Sequence, residues 1–183
     1  MKKRSWIATV SATVIAAVIA TVAAALLVSS PLHAKTYSCT VTPDGSRDWV
    51  SKTLVFNIDD NSGAIRVFDG VIEKYQNQPI AGKLSIQTAK RLTVKWETRR
   101  VKDDYGNTAA RFFFRATYYK DNGKVIISSI PGGWDNRFGG RGRCTISSDR
   151  NWGAAVKHAK GAGFTARGKT RFFSAGDWDI LLP

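Results

Sequence analysis

The chain has 183 residues, 43% of them hydrophobic, and its 28 Lys and Arg against 14 Asp and Glu give a net charge of +14 at pH 7. His158 is the only histidine after Ala34, and two cysteines cannot close a zinc shell without further ligands. A Ser-His-Asp or Cys-His arrangement would have to draw on that same histidine, so the composition argues against a metal site and against triad chemistry, and nothing in it asks for a cofactor.

The first element is a targeting segment. Lys2, Lys3 and Arg4 precede a run from Trp6 to Val28 that is rich in Ala, Val, Ile and Leu and carries no charge. Pro31 then opens a polar stretch ending at Ala34, and cleavage there would release a chain beginning at Lys35. Leu32 occupies a position where a small residue is preferred, and about 20 apolar residues suffice to span a bilayer, so an uncleaved anchor is the alternative. Residues 1–34 are thus a signal peptide or a membrane anchor, the latter keeping the chain in contact with the inner membrane. Both readings hold the basic flank in the cytoplasm and send the rest to a periplasmic or extracellular location. This segment holds three of the 28 basic and none of the 14 acidic side chains, which leaves +11 on the remainder. A surface so charged attracts anionic envelope polymers, anionic headgroups or an acidic protein over about a Debye length.

Residues 35–149 read as an antiparallel β domain. Leu54, Phe56 and Ile58 share one face of Thr53 to Ile58, and Leu92, Val94 and Trp96 share one face of Arg91 to Val101, opposite Thr93, Lys95, Glu97 and Arg99. Period-two alternation marks strands with one wet side. The other strand candidates are Thr36 to Thr42, Ala64 to Ile72, Lys83 to Thr88, Ala109 to Lys120, Lys124 to Ile130 and Arg143 to Ser147. Phe112, Phe114 and Tyr118 join the same expected interior. Between the strands stand the turns Asp60-Asn61-Ser62-Gly63, Asp104-Tyr105-Gly106-Asn107 and Asp121-Asn122-Gly123, whose Asn and Gly accept the positive φ of tight hairpins. Asp59, Asp60 and Asn61 could offer oxygen ligands to calcium, but the alternate spacing and distal Glu of an EF-hand loop are missing, and a plain turn is the better reading. About eight short strands in this order predict an all-β fold, a small antiparallel meander closed into a barrel or folded into a sandwich.

Cys39 and Cys144 both lie in the exported part, where a disulfide is permitted. Their pairing would tie the first strand to the last, with Cα atoms about 4.4 to 6.8 Å apart. Two free buried thiols or an intermolecular bridge are the alternatives.

Between Pro131 and Cys144 the glycines 132, 133, 139, 140 and 142 are interleaved with Trp134, Asp135, Arg137, Phe138, Arg141 and Arg143. As a curved loop, this stretch could aim glycine amides and the guanidinium groups of Arg137, Arg141 and Arg143 at one anion. Arg143 is the outlying member, since strand alternation beside Cys144 could turn it to the opposite side from Arg141. The plainer reading is a long inter-strand loop with Trp134 and Phe138 capping the core. Arg-Gly stretches around aromatics also suit RNA, but export argues against nucleic acid as a partner.

Tyr37 and Cys39, Asp48-Trp49, Asp135-Asn136-Arg137-Phe138 and Gly140-Arg141-Gly142-Arg143-Cys144 resemble features of small exported proteins of proteobacteria that have no assigned activity. The resemblance covers Thr36 to Cys144. It implies export and a compact β domain and transfers no catalytic residue.

Residues 150–183 form a basic tail. Trp152, Ala155, Val156 and Ala159 have helical spacing, with Asp149 as N-cap and Gly161 as stop. Beyond them Phe164, Phe172 and Phe173 lie among Lys and Arg before the apolar group Trp178, Ile180, Leu181 and Leu182, as in a loosely ordered terminus or an arm for anionic surfaces.

The expected function is a non-catalytic exported binding domain for anionic envelope polymers or an acidic partner. One alternative is a barrel holding a small apolar ligand. The other is a hydrolase using two carboxylates from among Asp48, Asp69, Glu73, Glu97 and Asp135.

Overall fold

The alternating segments pair in sequence order and close on themselves. The computed structural model describes residues 34–45 and 49–162. The strands are β1 (Ala34–Pro43), β2 (Thr53–Asp59), β3 (Ile65–Asp69), β4 (Ile80–Gln87), β5 (Arg91–Lys102), β6 (Thr108–Tyr119), β7 (Lys124–Pro131) and β8 (Phe138–Ser148). All neighbours are antiparallel, and β1 pairs with both β2 and β8, so the meander is a closed barrel and not a sandwich. Residues 1–33, read from the sequence as a targeting segment, Asp48, and the aromatic and apolar groups of the tail from residue 163 onward lie outside the described residues.

The inward face is the one set by alternation. Leu54, Phe56, Ile58, Leu92, Val94, Trp96, Phe112, Phe114 and Tyr118 are all buried in one cluster. Aromatic rings fill the lumen in contact with one another: Tyr37 stacks on Phe56 at 4.5 Å and meets Tyr118 edge-on at 5.2 Å, while Phe114 stacks on Trp96 at 5.4 Å and on Phe112 at 5.0 Å. Trp49 is fully buried against Phe112 and Tyr75. Each such ring pair adds about 0.5–1.5 kcal/mol to what its buried area contributes.

The three hairpin turns form where their Asn and Gly residues predict, with Gly63, Gly106 and Gly123 at positive φ. Asp59 serves its own turn, its carboxylate accepting from the amides of Asn61 (2.9 Å) and Ser62 (3.2 Å). Asp60 pairs with Lys35 at 3.0 Å.

Three departures from the sequence reading have physical causes. The stretch Ala64 to Ile72 is not one strand: it ends at Asp69, which caps the short helix α1 (Gly70–Gln76) by accepting a 2.7 Å hydrogen bond from the Ile72 amide. Val71 and Ile72 favour strands locally, but their burial against the barrel overrides that preference. Next, residues 138–142 are strand and not loop. Their glycines serve close approach: a Cβ on Gly140 would lie 2.9 Å from Val50 Cγ1 and 3.0 Å from Val41 Cγ1, and one on Gly142 would collide with the Thr40 carbonyl. Finally, the C-terminal helix α2 (Trp152–Ala162) follows a 3-10 turn at Asp149–Asn151 and continues through Gly161. It packs on the outside of β2 and β3 and buries Ala159. Thr36, Val55, Asn57 and Phe68, which alternation assigns to the outer face, are consequently buried too, with Asn57 Nδ2 donating to Thr36 Oγ1 at 3.1 Å.

Cys39 and Cys144 stand directly opposite each other across the β1–β8 ladder and form a disulfide, with Cα atoms 3.9 Å apart. That separation falls just below the expected lower limit of about 4.4 Å. The bond closes a loop of 105 residues in sequence at the one junction of the barrel that no turn connects.

Replacing both cysteines with Ser is expected to cost about 2–5 kcal/mol, measured by urea unfolding of the oxidised parent and the variant. Trp96→Ala in the same assay is expected to cost about 3–5 kcal/mol, the range for removing a large aromatic from a packed core. A loss under about 1 kcal/mol would place that ring outside the structural core.

Candidate anion-binding groove

Alternation along β8 sends Gly139, Arg141 and Arg143 to the outer wall. On the neighbouring strand Ser128, Ile126 and Lys124 face them in register, and Thr42 and Thr40 stand opposite the two arginines on β1. Gly139 presents no side chain, and the Asp44 carboxylate takes that space, its Oδ2 2.5 Å from where a Cβ would stand. Here lies a groove of about 860 Å³ lined by Arg137, Arg141, Arg143, Lys124, Ile126 and Asp44, among others.

All three arginines singled out by the sequence therefore face one groove. Arg143 lies on the same side as Arg141, because residues two apart in a strand share a face; its expected divergence does not occur. The glycine amides do not complete the site. Gly139, Gly140 and Gly142 belong to a strand paired on both sides, which commits their backbone to the ladders. The donors on offer are guanidinium groups, suited to bidentate contact with carboxylate or phosphate.

Among the described residues lining the groove Asp44 is the one acidic side chain, 3.8 Å from Arg141 Nε, with both side chains exposed. Such a pair contributes at most about 1 kcal/mol and can yield to a ligand. Arg143 donates to the Asn122 carbonyl at 3.0 Å, which orients its side chain beside Lys124. Directly opposed like charges destabilise a sheet. The plainer reading of the stretch also holds for its aromatics: Trp134 and Phe138 pack against the core, Phe138 at 6.4 Å from Phe112. One segment thus turns aromatics inward and arginines outward.

Sequence reasoning missed Lys124, Ile126 and Asp44. Their parity was legible, but the register that brings them beside β8 was not, because residues 132–137 make a connection too long to fix it.

The four described carboxylates among the five candidates lie in different settings. Asp69 is buried at the cap of α1, Glu73 lies on α1, and Asp135 is exposed ahead of β8. Glu97 sits on the outer wall, bound to Arg111 at 2.5 Å and Arg99 at 3.2 Å; the Arg111 hydrogen bond is the main reason its carboxyl is held below the ordinary range. Asp48 is outside the described residues. Among the described residues no group of three or more His, Cys, Asp or Glu could hold a metal ion. His158 lies on the exposed side of α2, beside a smaller groove of about 460 Å³ that reaches Thr145 and Asn122.

An eight-stranded meander barrel with a cationic groove on its outer wall is the class that this geometry defines. No family model, curated protein or solved structure matches the chain.

Asp69 is the one strongly perturbed carboxyl. Burial pushes it up from 3.8 to about 6 against the opposing hydrogen bonds from the Ile72 and Val71 amides; the Trp96 indole, whose N–H makes no full hydrogen bond, also favours the charged form. Between these two values the folded chain holds a proton that the unfolded chain has released. The contribution of Asp69 to stability should therefore fall as pH rises from about 4 to about 6, by about 3 kcal/mol in total, and level off above, while the lowered carboxyls of Glu97 and Asp59 act with the opposite sign at the acid end. Asp69→Asn keeps a good N-cap and should flatten that slope. Urea midpoints taken across this pH range check it.

Proposed function

We propose that the chain is an exported, non-catalytic binding domain that engages anionic polymers of the cell envelope through the groove holding Arg137, Arg141 and Arg143. The observation that carries this reading is that those three arginines and Lys124 line one groove in which, among the described residues, Asp44 alone is acidic. Export is supported by the uncharged run from Trp6 to Val28 behind a basic start, and by the disulfide, which persists in oxidising compartments. A binding role without catalysis is supported by carboxylates spread between the interior, α1 and the outer wall. The stacked aromatics of the lumen favour a ligand on the outside of the barrel over a small apolar ligand inside it.

The test is sedimentation of the purified protein with isolated envelope material. Binding should be strong at low salt and weaken steeply as ionic strength rises through the range where the Debye length shrinks below about 10 Å. The Arg137→Ala/Arg141→Ala variant should bind on the order of tenfold more weakly, two exposed charge contacts at up to about 1 kcal/mol each, with its unfolding midpoint nearly unchanged. Unchanged binding by that variant would leave diffuse surface charge as the cause. Mass measurement of the protein from its host should show the chain starting at Lys35, or the full chain in the membrane fraction; recovery of the full chain from the cytoplasm overturns export.

A further inference from the structure

The wall beside the groove carries a second cationic feature that the sequence pattern conceals. Lys83 on β4 stands opposite Lys95 on β5, Lys95 opposite Arg115 on β6, Arg115 opposite Ser128 on β7, and Ser128 opposite Gly139 on β8. The three basic side chains are exposed, adjacent and in one line across the strands. Like charges placed directly opposite on a sheet are destabilising. One row further along the same wall the problem is solved internally, since Glu97 binds both Arg99 and Arg111. In the row of Lys83, Lys95 and Arg115 no ion pair forms among the described residues.

We propose that this row extends the groove into a track for a linear acidic polysaccharide with one carboxylate per sugar, lying across strands β4 to β8. The inference rests on the groove reading and adds to it the ligand's class and direction. Neighbouring strands are about 4.8 Å apart, so the three cations repeat at that interval over roughly 10 Å, and the line on through Ser128 to the groove at Gly139 spans roughly 19 Å. A polyuronate repeats its carboxylate once per sugar ring, a comparable step, and flexible Lys and Arg side chains absorb the remaining mismatch. Over Gly139 lies the Asp44 carboxylate, its Oδ2 2.5 Å from where a Cβ would stand, so a chain passing from Ser128 into the groove displaces this exposed side chain from its 3.8 Å pairing with Arg141 and takes its place on the guanidinium. A single-stranded nucleic acid fits less well, because such ligands stack their bases on open aromatic faces. Phe113, the exposed aromatic of this wall, has the Arg111 guanidinium over its ring at 4.9 Å.

A track made of separate weak contacts gains affinity with ligand length, as linked contacts raise effective concentration. The test compares digalacturonate with an oligogalacturonate of about eight sugars, longer than the roughly 19 Å track, by calorimetry at low salt. The parent should bind the longer chain at least about tenfold more tightly. The Lys83→Ala/Lys95→Ala/Arg115→Ala variant should bind digalacturonate as the parent does and lose the gain with length. Its unfolding midpoint should be no lower than the parent's, since removing opposed like charges relieves repulsion. The Arg137→Ala/Arg141→Ala variant should lose affinity for both ligands. Full length dependence in the triple variant overturns the track, as does tighter binding of an oligothymidylate of equal charge by the parent. A parent that sediments with envelope material but binds no oligogalacturonate also overturns the track while leaving the groove reading standing. Failure to sediment at all overturns the groove reading itself.

Discussion

The junction between β1 and β8 is the contact on which the rest of the molecule depends. Every other strand pair is joined by a turn or a short connection and can form locally, whereas this pair brings together residues about 105 positions apart. Bringing such distant segments together carries a large loop-closure entropy. The disulfide removes much of that cost by constraining the unfolded chain, and the glycines at 140 and 142 let β8 come close enough to β1 for the ladder to form. Once the junction is closed, no sheet edge is left for another chain to pair with. The inward residues are then held in one aromatic cluster, and the outward residues of β8 become part of a continuous wall.

That wall is divided in character. Over β2 and β3 it is covered by α2, whose docking buries Val55, Asn57 and Phe68, while Arg66 lies over the Trp152 ring at 4.8 Å and Lys160 over Phe68 at 5.7 Å. Over β4 to β8 it is open and dominated by Lys and Arg. Among the described residues this open wall carries Lys83, Lys95, Arg115, Lys124, Arg141 and Arg143, and cations held close together attract a polyanion better than the same charges spread apart. Charges in water are each worth little, so the affinity of such a surface comes from several acting together, and it is sensitive to salt. The stability lost to opposed cations is the kind of local conflict expected where a sequence serves binding as well as folding.

Asp69 shows the same tension inside the fold. Helix α1 has seven residues, including β-branched Val71 and Ile72, and has little intrinsic tendency to form. Its cap supplies a charge-assisted hydrogen bond to the first turn, yet the same carboxylate is buried, and burial works against its charged form. The compromise is a helix held by its cap and by the burial of Gly70, Val71 and Ile72.

Alternation in Thr53 to Ile58 and Arg91 to Val101, and turn chemistry at Gly63, Gly106 and Gly123, determined by themselves the strands, the common interior and the antiparallel meander, because both are local properties of backbone geometry. The two cysteines pointed to β8 as the partner of β1, since only one intrachain pairing exists, but left free thiols or an intermolecular bridge open until the structure closed the bond. What the sequence left open were relations between segments that no short turn joins. The choice of barrel over sandwich, the conversion of the Gly and Arg stretch into strand, and the burial of Val55 and Asn57 under α2 all depended on which surfaces met in three dimensions. The arginines at 137, 141 and 143 were visible as a cluster of like residues. Their placement with Lys124, and the line from Lys83 through Lys95 and Arg115 toward Gly139, were decided by inter-strand register, which sequence spacing does not encode once a connection is longer than a tight turn.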